Sequence, residues 1–366
     1  MDGFTSDEAF LNKLGERSFL RFWSWPNLFR DQGDASRSGD GKEICDLTII
    51  FGNDIILFSD KRIEFNTEKP ANIAWSRWAR RAIGDSVKQI KGARRWINTY
   101  PERVFLDKKC TQKLPLEIPR GKLLRIHNVV VCHGVEDPLT NFNNEASFFF
   151  DNSIKGSDHW DGEKCRPFHI GQIFEGDFVH IFNESTIELV LNEFDTTKDF
   201  IEYLSQRESL LSSEKSVMVH SEADIIQLYY ESFDPRLGER IIWSGELSKA
   251  DCLIVEKGGI YGLYSNRSFL AKKAEDKVSY FWDDLIECFS FHILNGSSEY
   301  KSWDHPHEIE PSIRHMAGTG RFARRILAES FIGFYEKAIP GQRGTRLFIE
   351  PFSNDSAYLW FFHSKM

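Results

Sequence analysis

The segment Lys42 to Lys61, KEICDLTIIFGNDIILFSDK, constrains the fold more than any other stretch of the chain. Two runs rich in β-branched and apolar residues meet at Gly52-Asn53-Asp54, and such residues suit a pleated, half-buried surface. An Asn-Asp pair between apolar runs is a hairpin signal, because both residues tolerate the positive φ of tight turns. With Asn53-Asp54 as the loop, Asp46 lies opposite Lys61 and Thr48 opposite Ser59, all on one face because side chains alternate along a strand. A three-residue loop instead pairs Asp46 with Asp60 and sends Lys61 to the other face. Either register brings Asp46 to a polar group on the neighbouring strand, at the open end of a sheet built from Leu47, Ile49, Ile50, Phe51, Ile55, Ile56, Leu57 and Phe58. An ordinary exposed hairpin end carries the same residue types, so the flanking chain has to decide.

Upstream, Asp7 to Trp23 has Phe10, Leu11, Leu14, Phe19, Leu20 and Phe22 at helical spacing, with Glu16 near the edge of the apolar face. Pro26 ends this helix, and Asn27 to Asp31 is long enough for a short strand. Downstream, Ile73 to Asn98 reads as a long helix with Trp75, Ala79, Ala82, Ser86, Ile90, Ala93 and Ile97 along one stripe. Its other face carries Arg77, Arg80, Arg81, Lys88, Lys91, Arg94 and Arg95. Strands are expected at Leu124 to Cys132 and Phe178 to Phe182. The order is a helix, a three-strand meander, a crossover helix and a further strand.

That order, with an acid on the second strand and a lysine closing the third, resembles the PD-(D/E)xK nuclease superfamily, which includes restriction endonucleases, Mrr-like enzymes and the nuclease-related domain. The resemblance implies an α/β fold with a restriction-endonuclease-like αβββαβ core and a mixed sheet over residues 1–205. A C-terminal α+β domain would follow over 212–366. It further implies Asp46 as a Mg2+ (or Mn2+) ligand, Lys61 as the lysine that orients or activates water, Glu16 on the first helix as a further ligand, and Gln89 beside the site. The family has Asp or Glu two residues before the lysine, whereas this chain has Ser59. Serine cannot supply the charge that Mg2+ draws from oxygen ligands. Glu43, Glu16, or Asp60 after a local bulge are the candidates to replace it; otherwise the fold is a catalytically inactive, nucleic-acid-binding subunit of a larger complex.

The chemistry explains why these residue types belong together. Phosphodiester hydrolysis needs charge neutralisation at the phosphate, a nucleophilic water at neutral pH, and alignment of both. A carboxylate-held Mg2+ supplies the first and acidifies its bound water, and a lysine can stabilise the developing charge. The basic helix face, with Trp75, Trp78 and Trp96 nearby, is expected to meet nucleic acid, DNA in the first instance, through phosphate contacts and base stacking. Nuclease domains joined to an unfamiliar C-terminal half often act in bacterial anti-phage defence, which implies a second copy or a defence-system subunit as partner.

Composition sets the outer limits. At 366 residues the chain can bury a large core, and its 14% aromatic content with 31 phenylalanines excludes a disordered chain. The net charge of -9 argues against a generic DNA-coating protein. With no charged-then-apolar leader and no long apolar run, a soluble, cytoplasmic protein without membrane contact is expected. Six dispersed cysteines without a CxxC pair fit reduced thiols, and Cys132-His133 with His159, Cys165 and His169 is a weak zinc pattern. In the C-terminal half, helices are expected at Glu222 to Ser232, Asp276 to Leu294 and Ile313 to Lys337, with strands at Cys252 to Glu256, Arg346 to Pro351 and Ala357 to His363. Arg314, His315, Arg321, Arg324 and Arg325 surround Gly318-Thr319-Gly320, a conceivable phosphate cradle that reads better as a solvated basic helix.

Overall fold

The computed structural model describes residues 6–32, 40–174, 176–234, 239–245, 247–298, 303–337, 339, 342–350 and 357–363. It is a mixed α/β structure that divides into two compact units: Met1–Asp195 with Phe200–Ile260, and Thr196–Asp199 with Tyr261–Met366. The first unit opens with α1 (Ser6–Phe19), the short strands β1 (Ser24–Pro26), β2 (Phe29–Arg30) and β3 (Lys42–Glu43), and the hairpin β4 (Leu47–Phe51) and β5 (Asp54–Arg62). A long helical segment follows, α2 (Ala71–Ala79) and α3 (Asp85–Thr99), then β6 (Val104–Phe105), β7 (Arg125–His133), α4 (Glu136–Asn143), β8 (Phe149–Lys155), β9 (His169–Gln172) and β10 (Val179–Asn183). The helices α5 (Glu184–Glu193), α6 (Thr197–Leu211) and α7 (Glu222–Glu231) come next, with β11 (Ser216–Val219) between the last two, then β12 (Phe233–Asp234), β13 (Glu239–Arg240) and β14 (Cys252–Val255).

The hairpin belongs to a five-stranded mixed sheet of order β1-β4-β5-β7-β10, antiparallel across β1, β4 and β5 and parallel from β5 through β7 to β10. Its loop is neither of the two expected. Leu47 pairs with Phe58 and Phe51 with Asp54, so the turn is Gly52-Asn53 and Asp54 begins the strand. Gly52 has φ 60° in the first loop position, where a glycine relieves the strain of positive φ. The glycine, not the Asn-Asp pair, selects the register. The parallel pairs end at one edge, where Arg62 faces His133 and Cys132 faces Asn183.

The α2–α3 segment supplies the crossover from β5 to β7. All seven residues of its expected stripe are buried, but the segment widens into a π turn at Arg80–Gly84, where Gly84 lies 3.6 Å from Trp160 at its would-be Cβ. Leu20 takes φ 63°, so α1 stops at Phe19 instead of running to Trp23. Phe19 and Phe58 pack 5.9 Å apart, which places α1 on the sheet face that the even-numbered residues of β5 line.

A second sheet of order β14-β11-β8-β9 was not expected. Because β11 and β14 pair in it with β8, residues 212–260 pack with the first unit and the expected boundary at 205–212 moves to about residue 260. The second unit holds α8 (Gly259–Ser265), α9 (Arg267–Glu275), α10 (Tyr280–Leu294), α11 (Pro306–Ala317), α12 (Arg321–Tyr335), and the hairpin β15 (Arg343–Ile349) and β16 (Ala357–His363). The helix expected over Ile313–Lys337 is two helices broken at Gly318-Thr319-Gly320. Pro351, the expected end of the first strand, lies outside the described residues. Among the described residues no helix is long and apolar enough to cross a membrane.

Between the sheets of the first unit, Arg207 is fully buried between the rings of Phe150 and Phe182 and holds Glu222 through Nε and Nη2, at 2.9 Å each. Tyr203 also donates to Glu222. Breaking a buried pair leaves an uncompensated charge, so Arg207→Met should cost about 3–5 kcal/mol in urea unfolding of the chain, and adding Glu222→Leu should recover most of it.

Candidate active site

The hairpin register decides which carboxylates meet. Asp46 precedes β4, donating its backbone N–H to Phe58 O at 3.1 Å, and its Oδ2 accepts the Asp60 N–H at 2.5 Å. Asp46 therefore lies beside Ser59. Ser59 Oγ donates to Gln89 Oε1 at 2.9 Å, and the Gln89 side chain also hydrogen-bonds Asp46. With its oxygen turned to Ser59, Gln89 presents its amide N–H to the Asp46 carboxylate. The Glu43 carboxyl, delivered by β3, lies within hydrogen-bond reach of Asp46. Lys61, two residues after Ser59 and on the same face, reaches Asp85 Oδ2 at 3.8 Å, one turn before Gln89 on α3. Asp46, Glu43, Gln89, Ser59 and Lys61 thus gather where the α3 face of the sheet meets its edge.

Two expected ligands do not join them. Asp60 stays in an unbulged ladder, so its side chain takes the opposite face and meets His133 Nε2 at 2.5 Å. Glu16 is exposed on α1, which packs on that opposite face as well. Glu43 is the acid that reaches Asp46 in place of the carboxylate that Ser59 lacks.

Burial is the main cause that pushes the Asp46 carboxyl above the usual carboxylate range, with the nearby Asp60 charge acting in the same direction; the Asp60 N–H, Glu43 and Gln89 pull against it. Two carboxyls at hydrogen-bond range need a shared proton or a cation, and the Gln89 amide, braced by the Ser59 hydroxyl, holds the Asp46 carboxylate in place. This carboxylate pair fits a hard divalent cation such as Mg2+.

The basic helix face is divided. Arg77, Arg80, Arg81, Lys88 and Arg95 are exposed. Arg94 is held by Asp177 at 2.8 Å, and Lys91 sits over the Phe174 ring. Trp75 and Trp78 are core residues stacked at 5.4 Å, their indole N–H groups donating to His159 O and Ile63 O, and Trp96 is flanked by Arg30 and Arg103. None of the three offers a free ring face of the kind expected for bases.

The other sequence candidates resolve structurally. His159 is buried, bonded to Gly156 O and Gly171 N, and burial lowers its pKa to about 4. Among the described residues, His127, His180 and Glu208, and His133, Glu136 and Glu184, bring three donor atoms close enough together to hold an ion; neither group includes a cysteine. Near Gly318, Arg321 and Arg324 are buried and clamp Asp283 at 2.7 and 2.5 Å, while Arg325 pairs with Glu275, so this segment is a packing junction. The sequence reading missed the His133 group because its members come from β5, β7 and the first turns of α4 and α5, with no motif spacing to join them.

Comparison with protein-family models, curated proteins and solved structures finds no match to the chain.

The raised Asp46 pKa fixes a sign. In the pH range between an ordinary carboxylate pKa and the raised one, the folded chain binds more protons than the unfolded chain, so this group's stabilising contribution falls as pH rises through that window. Asp46→Asn should therefore raise the thermal midpoint at neutral pH, and the gain should shrink as the pH falls. Millimolar Mg2+ should raise the midpoint of wild type and not of the variant. Thermal scans from pH 4 to 8, with and without EDTA, check both.

Proposed function

We propose that the chain is a metal-dependent nuclease with a restriction-endonuclease-like core, hydrolysing phosphodiester bonds in DNA with Mg2+ or Mn2+. The single observation that carries this reading is the convergence of Asp46, Glu43 and Gln89 on the face that also presents Lys61. The antiparallel strands β1, β4 and β5, the crossover helix and the parallel strands β7 and β10 support the same reading, although the strand expected at residues 27–31 pairs instead with β3 and β6 in a separate sheet.

Asp46 and Glu43 would hold the cation, which when bound neutralises phosphate charge and lowers the pKa of its water. Gln89 fixes the Asp46 carboxylate through its amide, and Ser59 fixes Gln89. Lys61 presents a point charge on the same face, suited to holding the attacking water or countering charge on the phosphate oxygens. Its partner Asp85 also binds Lys88 at 2.9 Å, so the exposed basic face begins beside the site and can track a phosphate backbone. A role in anti-phage defence, with a second copy or another subunit, is the biological setting we infer for such an activity.

Cleavage of plasmid and single-stranded substrates with Mg2+ or Mn2+ tests the reading. Asp46→Asn, Glu43→Gln and Lys61→Ala should each lose about 100-fold or more, whereas Glu16→Gln should match wild type. Equal cleavage by all preparations would assign the activity to a contaminant, and binding without cleavage would leave a nuclease fold kept for nucleic-acid binding. Reversing Arg77, Arg81 and Lys88 to Glu should weaken DNA binding and flatten its salt dependence, read by fluorescence anisotropy at two salt concentrations.

A further inference from the structure

On the other face of the same strand end, His133 stands between carboxylates from three different elements. Its side chain is 0% exposed, and that of Asp60 is 1% exposed. Nε2 lies 2.5 Å from Asp60 Oδ1 and Nδ1 lies 2.8 Å from Glu184 Oε2. Glu136 completes the group: one donor atom from each of His133, Glu136 and Glu184 lies within 4.8 Å of the others. The Phe10 ring covers the imidazole edge-on at 6.0 Å.

We propose that His133, Glu184 and Glu136 form a binding site for a divalent transition ion, Zn2+ or Mn2+, with Asp60 orienting the imidazole from behind. The proposal does not rest on the nuclease reading, because none of these side chains belongs to the Asp46 cluster.

Three features carry it. First, Asp60 engages Nε2, so a neutral His133 with its proton there turns the Nδ1 lone pair toward Glu184 and Glu136. A carboxylate behind the histidine is the arrangement that fixes tautomer and raises basicity in metal sites. Second, Glu136 is held ready: its Oε2 accepts the Gly134 and Val135 N–H groups at 2.9 Å each, and its Oε1 the Glu184 N–H at 3.4 Å. A carboxylate has about four lone-pair positions, which leaves it capacity for a cation. Third, the site is already shared with a positive group. Arg62 Nη2 sits 3.3 Å from Glu184 Oε2 and 3.4 Å from His133 Nδ1, on a side chain 43% exposed that can turn to solvent. The mixed nitrogen and oxygen set favours Zn2+ or Mn2+ over Mg2+, which prefers oxygen alone.

The test uses the full chain carrying Asp46→Asn, stripped with chelator, so that failure of the nuclease site and failure of this one are told apart. Isothermal titration with Zn2+ alone should show an equivalent bound at this site, undisturbed by millimolar Mg2+ and told apart from any uptake at His127, His180 and Glu208 by its loss in Glu184→Gln, and Co2+ should give a visible absorption band. Glu184→Gln, at a side chain 41% exposed and so safe for folding, should weaken Zn2+ binding at least about tenfold and remove the band. Asp60→Asn should weaken it by about 10- to 100-fold. Arg62→Ala should bind Zn2+ more tightly than the parent, since it removes the competing charge. No uptake by the parent would mean that a proton alone bridges the carboxylates and would overturn the proposal. Unchanged uptake in Glu184→Gln, or weaker uptake in Arg62→Ala, would overturn it equally.

Discussion

Gly52 and Asn53 set the register of one hairpin, and that register decides which face each charged residue of β5 takes at the sheet's polar edge. The two-residue turn places Asp46 beside Ser59, and the Asp60 backbone N–H then binds the Asp46 carboxylate at 2.5 Å. Residue 60 thereby serves both faces: its backbone holds the acid on the α3 side, and its side chain holds His133 on the α1 side. Alternation does the rest, sending Ser59 and Lys61 one way and Asp60 and Arg62 the other.

The edge itself follows from parallel pairing. Because β5, β7 and β10 run in the same direction, their last residues and the first turns of α4 and α5 arrive together, and helix starts bring carboxylates such as Glu136 and Glu184 with them. Open α/β sheets bind ligands outside the carboxyl ends of their strands for this reason. The antiparallel β4 begins at the same edge, so Asp46 and Glu43 are delivered there from the opposite chain direction. The cost is paid locally in stability, since burial of Asp46 beside Asp60 disfavours its ionised form.

Much of this was legible from the sequence where periodicity was strong. The crossover helix, its buried stripe from Trp75 to Ile97, and the strands near Leu124 and Phe178 emerged within a few residues. Gln89 reaches Asp46 from the strongly patterned crossover helix, whereas Glu43 reaches it from the two-residue strand β3, which no periodicity marks. The register was not legible: Asn53-Asp54 carries as good a turn signal as Gly52-Asn53, and the choice rests on which residue takes positive φ. Glu16 was placed by analogy with a first-helix ligand, but α1 shields Phe19 against Phe58 on the wrong face. The second sheet is not legible because β8, β11 and β14 are short strands far apart in sequence, and only β14 carries a strand signal of its own. The arginines around Gly318 read as surface charge because nothing local reveals that Asp283, on another helix, draws Arg321 and Arg324 inside.

The hairpin register is also what separates the two polar clusters. A slip of one residue in β5 would exchange its faces, carrying Asp60 to Asp46 and Gln89 while turning Ser59 and Lys61 toward His133. Three carboxylates, those of Asp46, Glu43 and Asp60, would then crowd the α3 side without Lys61, and its ammonium would face the imidazole that Asp60 orients in the native register. It would also move Phe58 away from Phe19 and Phe200, which lie 5.9 and 6.3 Å from it in the α1-side core. The apolar packing of Phe58 and the polar assignment of Asp60 are therefore enforced by the same parity. A chain that keeps its core in place cannot rearrange either cluster without breaking the strand.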